Sequence, residues 1–290
     1  MYRNPLLYFI IFLATICCAC TKENSANADR RPVLAVSIEP QRKLLQSLAG
    51  NEFKVVCVLP RGANPETFDP TMAQRIDAAK ADVYFAIGFL PFEKAITAEI
   101  EKTGRVVNST QGITPVYGTH SHGNHTHAEA DPHLWASLRN GKTIAANMAR
   151  TLAEMDPERS SLYRSRLDSV CAALDSLDSG VASSLAPGTA FALWHPSLSY
   201  FARDYGLRQI AVGQESKESS LSSLSKAIEQ AKADSVKVFF FQKEFDSRQA
   251  ENICKEIGAD MVRIDPLAFD WDTQITDIAN AIRQRSKTSD

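Results

Sequence analysis

Short apolar runs alternate with amphipathic stretches from residue 33 onward. Segments 33–38 (VLAVSI), 53–59 (FKVVCVL), 82–88 (DVYFAIG) and 105–108 (RVVN) read as strands. Helical patterns lie between them at 40–50, 71–81 and 91–104. The last of these has Pro91 near its start and Gly104 past its end, as helix termini favour. The rhythm returns after Pro187-Gly188. Strands are predicted at 189–194, 207–212, 235–241 and 259–264, and helices at 197–206, 220–233, 247–258 and 273–286. Such alternation predicts mostly parallel sheets with helices on their faces. Between the halves a helix is predicted from Ser137 to Glu154, followed by an Asp156-Pro157 junction. Segment 158–186 then repeats Leu162, Leu167, Val170, Leu174, Leu177 and Val181 at spacings of one helix face. The expected fold class is α/β. A lobe over 32–156 and a lobe over 187–290 are joined by one long bridging helix, 157–186.

Residues 109–132 interrupt this pattern. The stretch GTHSHGNHTHAEADPHLW holds five of the six histidines: His120, His122, His125, His127 and His133. Segment 118–130 offers no apolar face, which predicts a flexible, solvated loop.

The first nineteen residues form a different kind of segment. Arg3 precedes an uncharged apolar run that is too short to span a membrane and fits a secretory signal. Ala19-Cys20 and the polar stretch after it resemble the lipobox of bacterial lipoproteins. On that reading Cys20 carries lipid, 20–31 is a tether, and the protein sits outside the cytoplasm on a bacterial membrane. A plain signal peptide cut nearby is the alternative. With 44% hydrophobic and 23% charged residues over 290 positions, the remainder has the composition of a globular protein. A net charge of −2 gives no basic surplus for nucleic acid. Cys57, Cys171 and Cys254 lack C-x-x-C spacing, so no zinc-ribbon or redox motif is present. Export permits a disulfide between two of them, and buried free thiols are the other reading.

Ligands of open α/β sheets bind beyond the carboxyl ends of strands. Four metal-binding side chains sit at such places: Glu66 after the second strand, His133 in DPHLW, His195 directly after a strand, and Asp265 directly after another. Imidazole and carboxylate suit zinc, manganese or ferrous iron. Each has a plainer reading. A single His after a strand is often hydrogen-bonded and half-buried. Asp265 before Pro266, and Asp131 before Pro132, are also turn formers.

Five segments in order carry a family resemblance: PRGANPETFDPT, ADVYFAIGFLPFE, DPHLWASLRNGKTIAANMARTLAEMDPER, WHPSLSYFARDYGL and DPLAFDWD. Together they resemble the substrate-binding lipoproteins of zinc and manganese ABC importers, over about residues 32–284. The resemblance implies two lobes bridged by one helix, no catalysis, and delivery of a divalent cation to a membrane permease. It also implies His133, His195 and Asp265 as ligands. Where the family has His at the first position, this chain has Glu66, so two imidazoles and two carboxylates replace the three-histidine set of zinc importers. More oxygen makes the site more tolerant of manganese or iron. Zinc members carry a His-rich loop before the DPH segment. By that resemblance His120, His122, His125 and His127 form an auxiliary zinc-collecting loop, against the plainer reading of incidental histidines.

The expected function is extracytoplasmic capture of zinc, with manganese or iron as alternatives, by a lipid-anchored monomer serving an ABC permease. From another class, a zinc hydrolase needs an open metal position and a base. The chain has no H-E-x-x-H, and Glu66 is the one residue that keeps the idea open. A metal buffer or adhesin without a permease is a third class.

Overall fold

The computed structural model describes residues 31–122, 125–213, 221–242 and 247–286. The signal segment 1–19, Cys20 and the tether as far as Arg30 lie outside the described residues. Among the described residues, no helix is long and apolar enough to cross a membrane.

The first sheet contains β1 (Val33–Val36), β2 (Lys54–Cys57), β3 (Val83–Ala86) and β4 (Arg105–Asn108) in the order β2-β1-β3-β4. All its pairings are parallel. Helices α1 (Glu39–Ala49), α2 (Met72–Ala78) and α3 (Glu93–Ile100) connect its strands. Every residue of β3 is buried, as expected of a strand covered on both faces. At its carboxyl end the buried Glu93 carboxylate accepts hydrogen bonds from the amides of Ile87 and Gly88 and from the Ser37 hydroxyl. This holds together the loops that follow β1 and β3.

The region predicted as an unstructured loop is in part a hairpin. Strands β5 (Tyr117–His122) and β6 (His125–Ala130) pair antiparallel. Apolar alternation, the usual strand signal, is absent from this stretch of the sequence. The sequence between the strands is Gly123-Asn124, a dipeptide of the type hairpins favour.

Helix α4 (Leu138–Met155) follows, then a single 3-10 turn at Pro157–Arg159, then α5 (Ser160–Ser184). At 25 residues α5 is about 37 Å long. It packs on α1 and α4 of the first lobe. Its buried face differs from the expected one at the start. Tyr163 is buried and Leu162 is exposed, while Leu174 and Val181 are buried as predicted. Leu167, Val170 and Leu177 pack on the core in part.

The second sheet holds β7 (Ala190–Leu193), β8 (Arg208–Ala211), β9 (Val238–Gln242) and β10 (Asp260–Ile264), again all parallel, in the order β10-β9-β7-β8. Its helices are α6 (Ser199–Tyr205), α7 (Leu221–Ala233), α8 (Ser247–Ile257) and α9 (Trp271–Ser286). Helix α9 also packs on α5. One hydrophobic cluster runs through both lobes, from Leu34 and Phe85 through Met148 and Leu174 to Phe240 and Trp271. At Gly141 of α4 a Cβ would lie 2.6 Å from the Trp271 ring, so the absence of a side chain lets α9 seat against α4. Lys43 of α1 adds ion pairs to Asp270 and Asp272 at 3.0 and 2.6 Å. A shared core of this kind resists wide opening of the lobes, because separation would expose the apolar surface of both.

Candidate metal centre

Three loops at the carboxyl ends of strands bring Glu66, His133 and His195 together. Glu66 sits in the loop between β2 and α2. Its amide donates to Asn64 Oδ1 at 2.8 Å, which tightens the turn. Phe68, two residues on, stands edge-on to Phe92 with centroids 5.2 Å apart and anchors the loop to the first lobe. Thr71 then caps α2 by accepting from the Gln74 amide.

His133 lies between the hairpin and α4, and is buried. Asp131 Oδ1 accepts from both the His133 amide and the ring Nδ1, each at 2.8 Å. Burial alone would raise the Asp131 carboxyl. The hydrogen bonds and charge of His133 outweigh that and hold it below its ordinary value. With Nδ1–H committed to Asp131, the Nε2 lone pair of His133 is left to face the cluster. Tyr200 of α6 donates its hydroxyl to the Asp131 carbonyl at 2.8 Å, joining this turn to the second lobe.

His195 follows β7 and is likewise buried. Its Nε2 lies 3.1 Å from His133 Nε2 and 3.4 Å from Glu66 Oε1, and His133 Nε2 lies 3.5 Å from the same oxygen. Zinc bonds of ~2.0–2.1 Å at tetrahedral angles place neighbouring ligand atoms about 3.3 Å apart. The three atoms therefore outline one face of a coordination tetrahedron. Two imidazole nitrogens and one carboxylate oxygen make a mixed donor face of the kind that divalent zinc, manganese or iron accepts.

Asp265 is outside this three-residue cluster. Its Oδ1 accepts from the Leu267 amide at 3.2 Å, and its own amide donates to Gln274 Oε1. The strand register accounts for its position. β9 and β10 pair Gln242 with Ile264, so Asp265 falls one step further on, with the opposite parity. Its neighbours Pro266 and Leu267 do line the cavity beside the cluster, together with Asn64, Pro65, Trp135 and Gln242. Gln242 attracted no notice in the sequence, where it is only the last residue of an apolar strand. Cys57, Cys171 and Cys254 are free thiols. Burial pushes Cys57 up to about 12 and Cys254 up to about 11, so neither offers a thiolate at neutral pH.

The hairpin register sets His120 opposite His127 and His122 opposite His125.

Two parallel α/β lobes on one long helix, with side chains able to hold a metal ion converging from both, have the form of a solute-binding protein for a metal. The family model for the zinc-uptake complex component A, periplasmic, matches residues 34–285, and the chain belongs to this family. It is thus an extracytoplasmic component of a metal-uptake system, not an enzyme. Among relatives, a metal-binding protein of Treponema pallidum is 27% identical over 271 residues, covering 88% of this chain and 85% of its own. A metal ABC transporter substrate-binding lipoprotein of Lactococcus lactis is 23% identical, covering 89% of this chain and 86% of its own. Zinc-binding protein AdcA of Streptococcus pyogenes is 23% identical over 92% of this chain, which spans only 56% of AdcA. Among solved structures, a ZnuA 138–173 deletion mutant with zinc bound is 32% identical. It superposes with a TM-score of 0.79 over 88% of this chain and 98% of its own.

Proposed function

We propose that the chain captures zinc outside the cytoplasm and delivers it to the permease of an ABC importer, working as a monomer lipid-anchored through Cys20. The observation that carries this is the convergence of His133 Nε2, His195 Nε2 and Glu66 Oε1 at ligand-to-ligand spacings. Asp265 supplies the fourth donor. It lies next to the Pro266–Leu267 wall of the cavity and turns toward the ion when the ion seats. The domain limits follow the same reading: a lobe over 32–156, a bridge over 157–186 and a lobe over 187–290. Because the lobes share a core, uptake and release proceed by loop movement around the site rather than by wide lobe opening.

Glu66 in place of a third imidazole favours a harder ion than a three-histidine site does, which keeps manganese and iron as competitors. Replacing Glu66 by His restores the three-imidazole set. Glu66→His is expected to raise the ratio of zinc to manganese affinity about tenfold, a difference of about 1.4 kcal/mol. Competition titration of the two metals reads this directly. An unchanged ratio and unchanged affinities would place Glu66 outside the coordination sphere.

The four hairpin histidines act as a collector that holds zinc weakly and passes it inward. Removing 119–129 is expected to leave the affinity of the central site unchanged while slowing zinc capture when the metal is scarce. Stopped-flow loading at submicromolar zinc measures the rate, and equal rates with and without the segment would end the collector role.

A further inference from the structure

Residue Gln242 ends β9, and β9 lies beside β7, the strand that leads into His195. The register pairs Ala192 with Phe239 and Leu193 with Phe240. Continued two steps past the end of β7, the same parity would bring His195 level with Gln242, and parallel neighbours in register face the same side of a sheet. Gln242 is 9% exposed and lines the same cavity as His133 and His195. Its Oε1 is buried and has no hydrogen-bond partner among the described residues. A buried amide oxygen left unpaired is destabilising, and an ion is one kind of partner that such a group in a native protein takes. His133 and His195, two members of the ligand triangle, line this same cavity, so a cation held there is a partner within the chemistry of the site.

We propose that Gln242 is a specificity-determining position of the metal centre, where its Oε1 supplies a neutral oxygen to the bound ion next to His195. The proposal rests on the metal-capture reading above and deepens it. A tetrahedral zinc ion is satisfied by Glu66, His133, His195 and Asp265 and has no need of a fifth donor. Manganese prefers six donors, mostly oxygen, and gains from one more carbonyl-type oxygen. Gln242 therefore widens the range of ions the site retains without adding charge.

The test uses the metal-free full chain, titrated separately with zinc and manganese against a chelator of known affinity. Gln242→Leu removes the amide, and Gln242→Met removes it while keeping the length of the side chain. Both are expected to weaken manganese binding about tenfold or more, the range seen when groups around a metal are removed, and to change zinc binding less than about threefold. Gln242→Glu keeps an oxygen and is expected to retain manganese. Equal loss for both metals in the Leu and Met variants would mean that Gln242 only supports the fold of the site, and would overturn the proposal. So would no change for either metal, or a wild-type chain that takes zinc but no measurable manganese. A wild-type chain that binds neither metal would instead sink the metal-capture reading itself.

Discussion

His195→Ala is expected to fold normally and to lose tight metal binding. His195 is the one member of the ligand triangle that comes from the second lobe, and its Nε2 lies 3.1 and 3.4 Å from the other two ligand atoms. Removing it breaks the triangle and takes away the one imidazole the second lobe offers, leaving that lobe only the oxygen donors proposed above. Loss of a group that merely orients a ligand costs 10–100-fold in metal affinity, so loss of the ligand itself should cost on the order of a hundredfold or more. The fold should survive, because His195 lies outside the shared hydrophobic cluster. Isothermal titration with zinc, alongside circular dichroism of the metal-free variant, separates the two effects. Tight binding retained in a folded His195→Ala protein would place the ion elsewhere.

The second large effect is on stability. Trp271 opens α9, is 2% exposed, and belongs to the cluster that runs through both lobes. Its ring fills the space over Gly141. Trp271→Ala is expected to cost about 3–5 kcal/mol, the usual range for emptying a large aromatic site in a core. For a domain of this size that is a fall in Tm of roughly 10 °C. It should also weaken metal binding, because the neighbouring segment carries Asp265 and the Pro266–Leu267 wall of the cavity. Calorimetry of the metal-free protein checks the first effect. A drop below about 1 kcal/mol would mean that the lobes do not depend on this contact.

The alternation of strands and helices was legible because burial writes itself into the sequence. The fully buried VYFA, AFAL and VFFFQ strands are unbroken apolar runs, and α5 shows its inner face as a repeat. The exchange of Leu162 for Tyr163 at the start of α5 was not legible, since adjacent apolar residues give no phase until a partner helix selects one. The hairpin was not legible either, because its strands alternate histidine with small polar residues. Of the site, Glu66, His133 and His195 stood out as ligating residues after strands, and the fold brings those three together. Asp265 stood out for the same reason, yet the β9–β10 register leaves it one step out of phase with Gln242. Asp131 read as a turn former, and it also holds the His133 ring. Gln242 gave no signal, because nothing in VFFFQ shows that its last residue lines the same cavity as His195. That follows only from the pairing of strands forty-seven residues apart.

The central claim is that one metal ion sits among side chains drawn from both lobes. The most direct measurement is zinc stoichiometry and affinity of the metal-free chain, compared with the same chain lacking 119–129 and with the His133→Ala/His195→Ala double variant. The account predicts one tightly bound zinc ion in the wild type and in the chain without the hairpin histidines, and none in the double variant. Tight zinc that survives the double substitution, or that disappears with 119–129 alone, would contradict it.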